Sequence, residues 1–472
     1  MSQRAFASIR LLPIAWAAIV IGILAIPFWQ IPWAFIDVYN NFYIATTLSW
    51  SETIAYAFSR GLEYRPLLTI LVKVAHQTVG LREWAYQLLV LLQFALILGL
   101  LLRLFKPEGT PRVIAACIAV CCVAGLHTSR VLFMFAPLNA HSLGVVLLLL
   151  AAALALDDRA RRVDWLFLPL TFVALLLLES GVLIIPVLVV LRVLRSSAFA
   201  EASADRPAVG WLGVGASVVA VALYAAVRLT FGSQADTAAT YTETGLGFES
   251  LESTRLAAVF ERAPWMLWVY NIIASFLTVV ASEPRAGRFI LIDKLLQAET
   301  PIWLSIHVGS SVLTSAVIAW ALAKARSVPE RDRWLAGIGL TVLIAGSGLG
   351  FLYARDRIAV SAGVGYAVLV YVGVSVLLER ATGARQRTVA TVIVGMIAAG
   401  WAVRTGEAYL QLRDSAWENY VEWTDRYPSL GGARPQTDVL RMLRETTLAS
   451  TPDDPRLDPD WTYVLFEREF ER

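Results

Sequence analysis

Residues 137–156 read PLNAHSLGVVLLLLAAALAL, a stretch without a charged side chain that is long enough to cross the hydrocarbon core of a bilayer. Similar runs recur along the chain of 472 residues. Hydrophobic residues make up 57% of the sequence and charged residues 16%, whereas soluble domains carry about a quarter charged residues. The mean hydropathy is +0.62. The sequence therefore predicts an all-α polytopic membrane protein.

The same composition excludes several other classes of protein. The net charge of +3 is too small to indicate a nucleic-acid partner, and the abundant aromatic residues exclude a disordered chain. Cys117, Cys121 and Cys122 share one apolar run and form no CxxC pattern, and the four histidines form no HExxH motif. The sequence therefore does not indicate a soluble metal-dependent hydrolase.

Eleven apolar runs are predicted to span the membrane. The first, residues 11–28, follows Arg4 and Arg10 and lacks a small-residue cleavage site, so we interpret it as an uncleaved span rather than a signal peptide. The other ten cover about residues 86–104, 113–127, 137–156, 164–178, 181–195, 209–230, 302–323, 334–353, 358–378 and 388–404.

The basic residues of the connecting segments predict the orientation of the chain. With a cytoplasmic N-terminus, every second connection is basic, including residues 103–112, 324–333 and 380–387. Counting residues 264–282 as a span would invert the second half, so we interpret this segment, like residues 66–79, as an interfacial or re-entrant helix on the outer face. We expect a multi-pass protein of the cell membrane, in bacteria the inner membrane, with an extracytoplasmic C-terminus.

This orientation divides the chain into a membrane domain and a tail. Residues 1–410 form the membrane domain, with outer loops at 29–65 and 231–301. Residues 411–472 form a small, polar extracytoplasmic tail without an internal repeat.

Charged residues at the outer face are candidate functional groups, because an ionisable side chain is costly to keep near hydrocarbon. Asp37 follows the first span and could act as a general base on an acceptor hydroxyl, or could bond its own turn through Asn40 or Asn41. Arg65 precedes Pro66, which favours a helix start. A guanidinium beside a helix N-terminus could bind an anion, and a snorkelling arginine is the alternative.

Two further groups lie on the same predicted face. Glu179, between two short apolar runs, is either the partner of an arginine or part of a site, and Arg228 is either an anchor or an anion ligand. Arg355 and Arg357 violate the positive-inside trend, which indicates an anionic partner such as a lipid phosphate. An internal pair with Asp356 is the alternative.

His127 and Arg130 follow the third span on this face and could join the same cluster. All the candidates thus converge on one side of the membrane. Transfer of a group from a lipid-phosphate donor would need a carboxylate as base and several arginines for the phosphate on that side.

In order and position these residues resemble the GT-C (C-type fold) integral membrane glycosyltransferases, especially the mannosyltransferase-like members that use polyprenyl- or dolichyl-phosphate sugars. The resemblance covers about residues 12–410. Its motifs are Asp37, Tyr64-Arg65-Pro66-Leu67, Leu178-Glu179-Ser180-Gly181, Tyr224 with Arg228, and Arg355-Asp356-Arg357. The chain departs from the family pattern at Val38, Leu178 and Ile358, where a second acid, a lysine and an aromatic-proline pair are common.

The resemblance implies inverting transfer of a hexosyl or pentosyl unit from a polyprenyl-phosphate donor to an extracytoplasmic glycan, lipid or protein. Asp37 would deprotonate the acceptor. The implied phosphate ligands are Arg65, Arg228, Arg355 and Arg357, and the implied supporting residues are Glu179, Asp356, His127 and Arg130. No metal ligand and no certain cofactor follow, although a divalent metal is compatible with the family; the outer loops hold no DxD motif.

Three other functions are compatible with this sequence. A flippase or transporter would share the polytopic architecture, although its unusual charges are expected near the midplane. A ligase or polymerase of lipid-linked glycans would share the outer arginines and the large outer loop. A noncatalytic protein of polysaccharide assembly is the third alternative.

Overall fold

The computed structural model describes residues 3–28, 45, 48–59, 64–80, 83–130, 132, 138–157, 164–199, 211–231, 264–281, 297, 302–324, 328–351 and 358–421. Within these residues the elements are helices joined by turns, without a strand. The α-helices are α1 (Gln3–Phe28), α2 (Trp50–Ser59), α3 (Pro66–Val79), α4 (Glu83–Phe105), α5 (Thr110–Gly125), α6 (Ala140–Leu156), α7 (Phe167–Leu177), α8 (Ile184–Phe199), α9 (Trp211–Phe231), α10 (Pro264–Val280), α11 (Ile302–Ala323), α12 (Glu330–Gly348), α13 (Val360–Arg380) and α14 (Ala384–Val421). Short 3₁₀ turns cover His127–Arg130, Asp164–Leu166, Glu179–Leu183 and Leu349–Phe351.

Six helical segments are long and apolar enough to cross a membrane. They are Trp84–Phe105, Trp211–Phe231, Leu304–Ala323, Glu330–Phe351, Val360–Arg380 and Ala384–Leu410. The all-α, multi-pass prediction is confirmed at this level. Each of the eleven predicted segments coincides with a helix, but several of these helices are short, so the count of eleven spans and the orientation stay predictions.

Successive long helices run antiparallel and give the bundle two ends. At the Arg112 end, named for the first residues of α5, Arg331 donates to the carbonyl of Leu104 and Tyr371 donates to that of Phe105. The Glu179 end is the opposite one, at the turn between α7 and α8. The chain therefore separates two sets of polar side chains by the length of the bundle.

Helix α13 occupies the centre of the bundle, where 94% of its apolar stretch is buried. It packs closely on α12 because glycines face each other across the contact. A Cβ atom on Gly365 would lie 2.8 Å from the carbonyl oxygen of Gly339. Small residues at such crossings allow helix backbones to approach in membranes.

Helices α2 and α3 form a short pair beside the bundle. Ser49 caps α2 in a reciprocal capping box, in which the Ser49 backbone N–H donates to Glu52 (2.7 Å) and the Glu52 backbone N–H donates to the Ser49 hydroxyl (3.3 Å). The predicted helix start at Pro66 is confirmed, and the buried Lys73 of α3 donates to the carbonyls of Ala45 and Leu48. Lys73 therefore fastens the segment before α2 onto α3.

Helix α10, the segment interpreted as interfacial or re-entrant, packs into the bundle. In the middle of α10, Asn271 Nδ2 donates to the carbonyl of Phe351 (3.0 Å), and at its end the Ser315 hydroxyl donates to the carbonyl of Val280 (3.1 Å). Ser315 lies in the middle of α11. The end of α10 therefore lies level with the interior of the next helix, which fits the re-entrant alternative.

Candidate functional site

An accessible ion pair at the Glu179 end joins two of the sequence motifs. Arg228 Nη1 lies 3.2 Å from Glu179 Oε1 and 3.3 Å from the Tyr224 hydroxyl. The side chains of Arg228 and Glu179 are 30% and 41% exposed, so both groups can be reached from outside the protein. The sequence left open whether Glu179 pairs with an arginine, and the structure contains that pair.

The backbone around Glu179 explains why the carboxylate lies at this end. Leu178 is extended, with φ of −164° and ψ of 139°, and thereby ends α7. A tight 3₁₀ turn follows, in which a Cβ atom on Gly181 would lie 2.7 Å from the backbone of Ala174 and Leu175. Only glycine therefore allows the turn to fold back onto α7 and present Glu179 towards the end of α9.

Tyr64 completes this group of residues. Its ring meets that of Tyr224 edge-on at 5.8 Å, and the Arg228 guanidinium carbon lies 5.7 Å from the Tyr64 ring centroid. Burial raises the pKa of Tyr64, and the Arg228 charge opposes that shift in part. We call Tyr64, Glu179, Tyr224 and Arg228 the Arg228 cluster.

Arg65 follows Tyr64 directly and stands before the first residue of α3. Its Nε atom is buried and has no hydrogen-bond partner. The backbone N–H groups of the first turn of α3 point towards its own N-terminal end, as in every helix. The structure thus brings the Tyr64-Arg65-Pro66-Leu67 motif, the Glu179 motif and Arg228 to one place, although the second and third lie more than a hundred residues after the first.

The chemistry of the Arg228 cluster is that of an oriented cation. The carboxylate and the tyrosine hydroxyl both accept from Nη1 of the guanidinium, and the tyrosine rings cover one side of the group. A fixed guanidinium binds phosphate or carboxylate oxygens in its fork geometry. The cluster could therefore stabilise charge on a phosphate group that approaches from the exposed side.

A second polar group lies elsewhere at the same end, and we call it the His307 cluster (His127, His307, Arg404 and Glu407). The rings of His127 and His307 stack at 4.9 Å, and His307 Nε2 bonds to a carboxylate oxygen of Glu407. His127, predicted as a supporting residue, therefore lies against α11.

Arg404 is the most enclosed cation of the His307 cluster, with 1% of its surface exposed. Its Nη1 atom donates to the hydroxyls of Ser310 (3.3 Å) and Ser311 (2.8 Å), and its guanidinium stacks on Trp401 at 3.8 Å. Its Nε and Nη2 atoms are buried without hydrogen-bond partners. The residues around Arg404 provide neutral contacts, and the carboxylate of Glu407 lies one turn further along the same helix.

Sequence reasoning missed Arg404, Glu407 and His307. The last predicted span ended at residue 404, whereas α14 runs on to Val421 and crosses the boundary predicted at residue 411. The available signal was the spacing of Arg404 and Glu407, which places two charges on one face of an otherwise apolar helix.

Four of the predicted site residues, Asp37, Arg355, Asp356 and Arg357, lie outside the described residues. The same holds for the side chain of Arg130. Their assigned roles stay predictions. Among the residues that the structure does describe, no group of three or more His, Cys, Asp or Glu side chains could hold a metal ion.

Comparisons of the chain with protein-family models, with curated proteins and with solved structures each gave no match.

Proposed function

We propose that this protein is a membrane glycosyltransferase that moves a sugar from a polyprenyl-phosphate donor to an extracytoplasmic acceptor with inversion. The observation that carries the proposal is the Arg228 cluster. Three motifs that the family resemblance assigns to one site are distant in the sequence and adjacent in the fold. Six helices are long and apolar enough to cross a membrane, and a polyprenyl-phosphate donor is dissolved in that same membrane.

The reaction needs a group that stabilises the departing phosphate, and Arg228 has the required chemistry. A guanidinium aimed at developing negative charge is most effective where water is partly excluded. Glu179 and Tyr224 hold Arg228 in one orientation before the donor arrives, which reduces the cost of ordering it during the reaction. In this proposal Arg65, Arg355 and Arg357 complete the phosphate site.

Asp37 is assigned the proton transfer. In the proposed reaction its carboxylate removes the proton from the acceptor hydroxyl, whose oxygen forms a bond to the anomeric carbon. The bond between that carbon and the phosphate oxygen breaks, and polyprenyl phosphate leaves with the electron pair. Inversion follows from attack on the face opposite the leaving group.

The His307 cluster favours one alternative, a flippase or ion-coupled transporter for a lipid-linked sugar. Buried histidine and arginine side chains beside a partly exposed glutamate, as in this cluster, resemble the ionisable groups that mark proton and ion pathways in membrane helices. Uptake of labelled substrate into sealed vesicles that depends on a proton gradient would favour this alternative. Transfer in open membranes, without a gradient, would favour the glycosyltransferase.

The direct test uses membranes from cells that express the protein, because these membranes supply endogenous acceptors. A panel of labelled polyprenyl-phosphate hexoses and pentoses is titrated against wild type, Arg228→Gln and, as matched control, Arg103→Gln, which removes an exposed arginine at the opposite end. Loss of a charge-assisted contact should lower kcat/KM for the donor roughly ten- to a hundred-fold in Arg228→Gln alone. Equal donor dependence in all three proteins would refute the assignment.

A further inference from the structure

The Arg112 end carries a second concentration of arginines, which the proposed reaction does not use. Arg192 and Arg195 lie in the last turns of α8, Trp211 begins α9, and Arg333 and Trp334 lie in the first turn of α12. We call these five residues the Arg–Trp patch. They come from three helices that meet at one end of the bundle.

Contacts between aromatic rings and guanidinium groups hold the Arg–Trp patch together. The Arg195 guanidinium carbon lies 4.5 Å from the Trp334 ring centroid, and that of Arg192 lies 5.8 Å from the Trp211 centroid. Arg333 lies one turn before Gly337, which packs against Leu194 of α8. Arg333 therefore faces the same helix that carries Arg192 and Arg195.

The acidic residue next to Arg333 is engaged elsewhere, whereas Glu330 in the first turn of α12 and Asp164 beside Gly213 of α9 lie close to the patch. Asp332, next to Arg333, forms a bidentate pair with Arg112 at 2.8 and 3.2 Å. Arg192 and Arg333 each have a buried Nε atom without a hydrogen-bond partner. The three guanidinium groups of the patch outnumber the carboxylates of Glu330 and Asp164, so the patch has a net positive charge that an anion can balance.

The surroundings of the patch identify the source of that anion. Trp211, Val193 and the nearby Trp165 are exposed apolar side chains, which in a membrane-spanning chain face lipid. Tryptophan side chains at such a level are typical of the membrane–water interface. Lipid headgroups are therefore the phosphate groups that lie nearest to the arginines.

We propose that the Arg–Trp patch is a binding site for the phosphate of an anionic phospholipid. The guanidinium groups of Arg192 and Arg333 bind the phosphate oxygens, Arg195 adds positive charge, and Trp211 and Trp334 cover the glycerol backbone. Basic pockets between membrane helices recognise anionic headgroups in this way. The site is distinct from the Arg228 cluster, which lies at the other end of the bundle.

The test measures binding of fluorescently labelled short-chain phosphatidylglycerol to the full-length protein in mild zwitterionic detergent. Arg192→Gln/Arg333→Gln should bind about thirty-fold more weakly than wild type, since each basic residue near a membrane surface contributes about a factor of five. The matched control is Arg385→Gln/Arg387→Gln, which removes two exposed arginines from the start of α14 at the same end and should leave binding unchanged.

Competition with other ligands identifies the source of the phosphate, and a second variant covers the case in which the first does not fold. Inorganic phosphate should not compete at equal concentration, and phosphatidylcholine of the same chain length should bind much more weakly. If the glutamine variant does not fold, Arg192→Lys/Arg333→Lys keeps both charges, loses the fork geometry and should weaken binding several-fold. Wild-type affinity in a folded variant, equal loss in the control, or equal binding of phosphatidylcholine would each overturn the proposal.

Discussion

The bundle carries an arginine–carboxylate group at each end, and the two are built differently. At the Arg112 end, Arg112 bonds Asp332 twice and Glu379 once, with side chains that are 15% and 0% exposed for Arg112 and Asp332. At the Glu179 end, Arg228 makes one contact with Glu179, and both side chains are about a third exposed. The first group ties α5, α12 and α13 together, whereas the second remains accessible.

This difference separates a structural ion pair from a candidate binding site. In the buried group every nitrogen of Arg112 bonds a carboxylate, and removal of Arg112 leaves a buried charge without its partner. An exposed pair contributes little to stability, and its groups remain accessible to a ligand.

The largest effect on stability is expected from Arg112→Met. This change leaves the carboxylate of Asp332 buried without its bidentate partner and should destabilise the fold by about 3–5 kcal/mol. Arg228→Met, the matched change at the other end, should cost no more than about 1 kcal/mol. Thermal unfolding in one detergent measures both, and equal losses would remove the distinction between the two ends.

Asp37→Asn should have the largest effect on transfer. The amide keeps the size and polarity of the side chain but cannot accept the proton of the acceptor hydroxyl, so the rate should fall about 10²-fold or more. The unfolding midpoint and membrane insertion should match wild type. Transfer near the wild-type rate would mean that Asp37 is a loop residue and that the base is elsewhere.

The sequence predicts the all-helical class and the outline of the Arg228 cluster for clear physical reasons. Apolar length alone reveals membrane helices. A charged side chain near hydrocarbon costs free energy unless it is paired. Glu179 lies at a helix turn and Arg228 near a helix end, so a partner for each could be anticipated. The partner of each charge could not be derived, because that depends on which helices become neighbours.

The His307 cluster shows where sequence reasoning fails. Its four residues come from three segments that lie far apart in the sequence, and none carries a local motif. The burial of Arg404 against Ser310 and Ser311 is a property of helix packing. The spacing of Arg404 and Glu407 was a signal that these two charges share a face, but it does not reveal which residues surround them.

Arg357→Ala should have an intermediate effect, a loss of roughly ten- to a hundred-fold in donor use, and Arg357→Lys a smaller one. If Arg357 and Arg228 hold the same phosphate, the double variant should lose less than the product of the single losses, because neighbouring groups do not act independently. Donor titrations of the four proteins measure this coupling. Independent losses would place the two arginines at separate sites.

Tyr64→Phe should have the smallest effect. The Tyr64 hydroxyl is buried without a hydrogen-bond partner, so its removal breaks no bond in the protein. Phenylalanine keeps the edge contact with Tyr224 and the attraction to the Arg228 guanidinium. Donor KM should stay within about twofold of wild type, and a large rise would show that the hydroxyl itself contacts the substrate.

Photo-crosslinking tests most directly whether the Glu179 end binds a lipid phosphate. A polyprenyl phosphate with a photoreactive group in its first isoprene unit is bound to the purified protein, irradiated, and mapped by peptide mass spectrometry. We expect crosslinks around Tyr64–Pro66 and the last turn of α9, competed by unlabelled polyprenyl phosphate and lost in Arg228→Gln. Crosslinks confined to the Arg112 end, or unchanged in Arg228→Gln, would contradict binding at the Glu179 end.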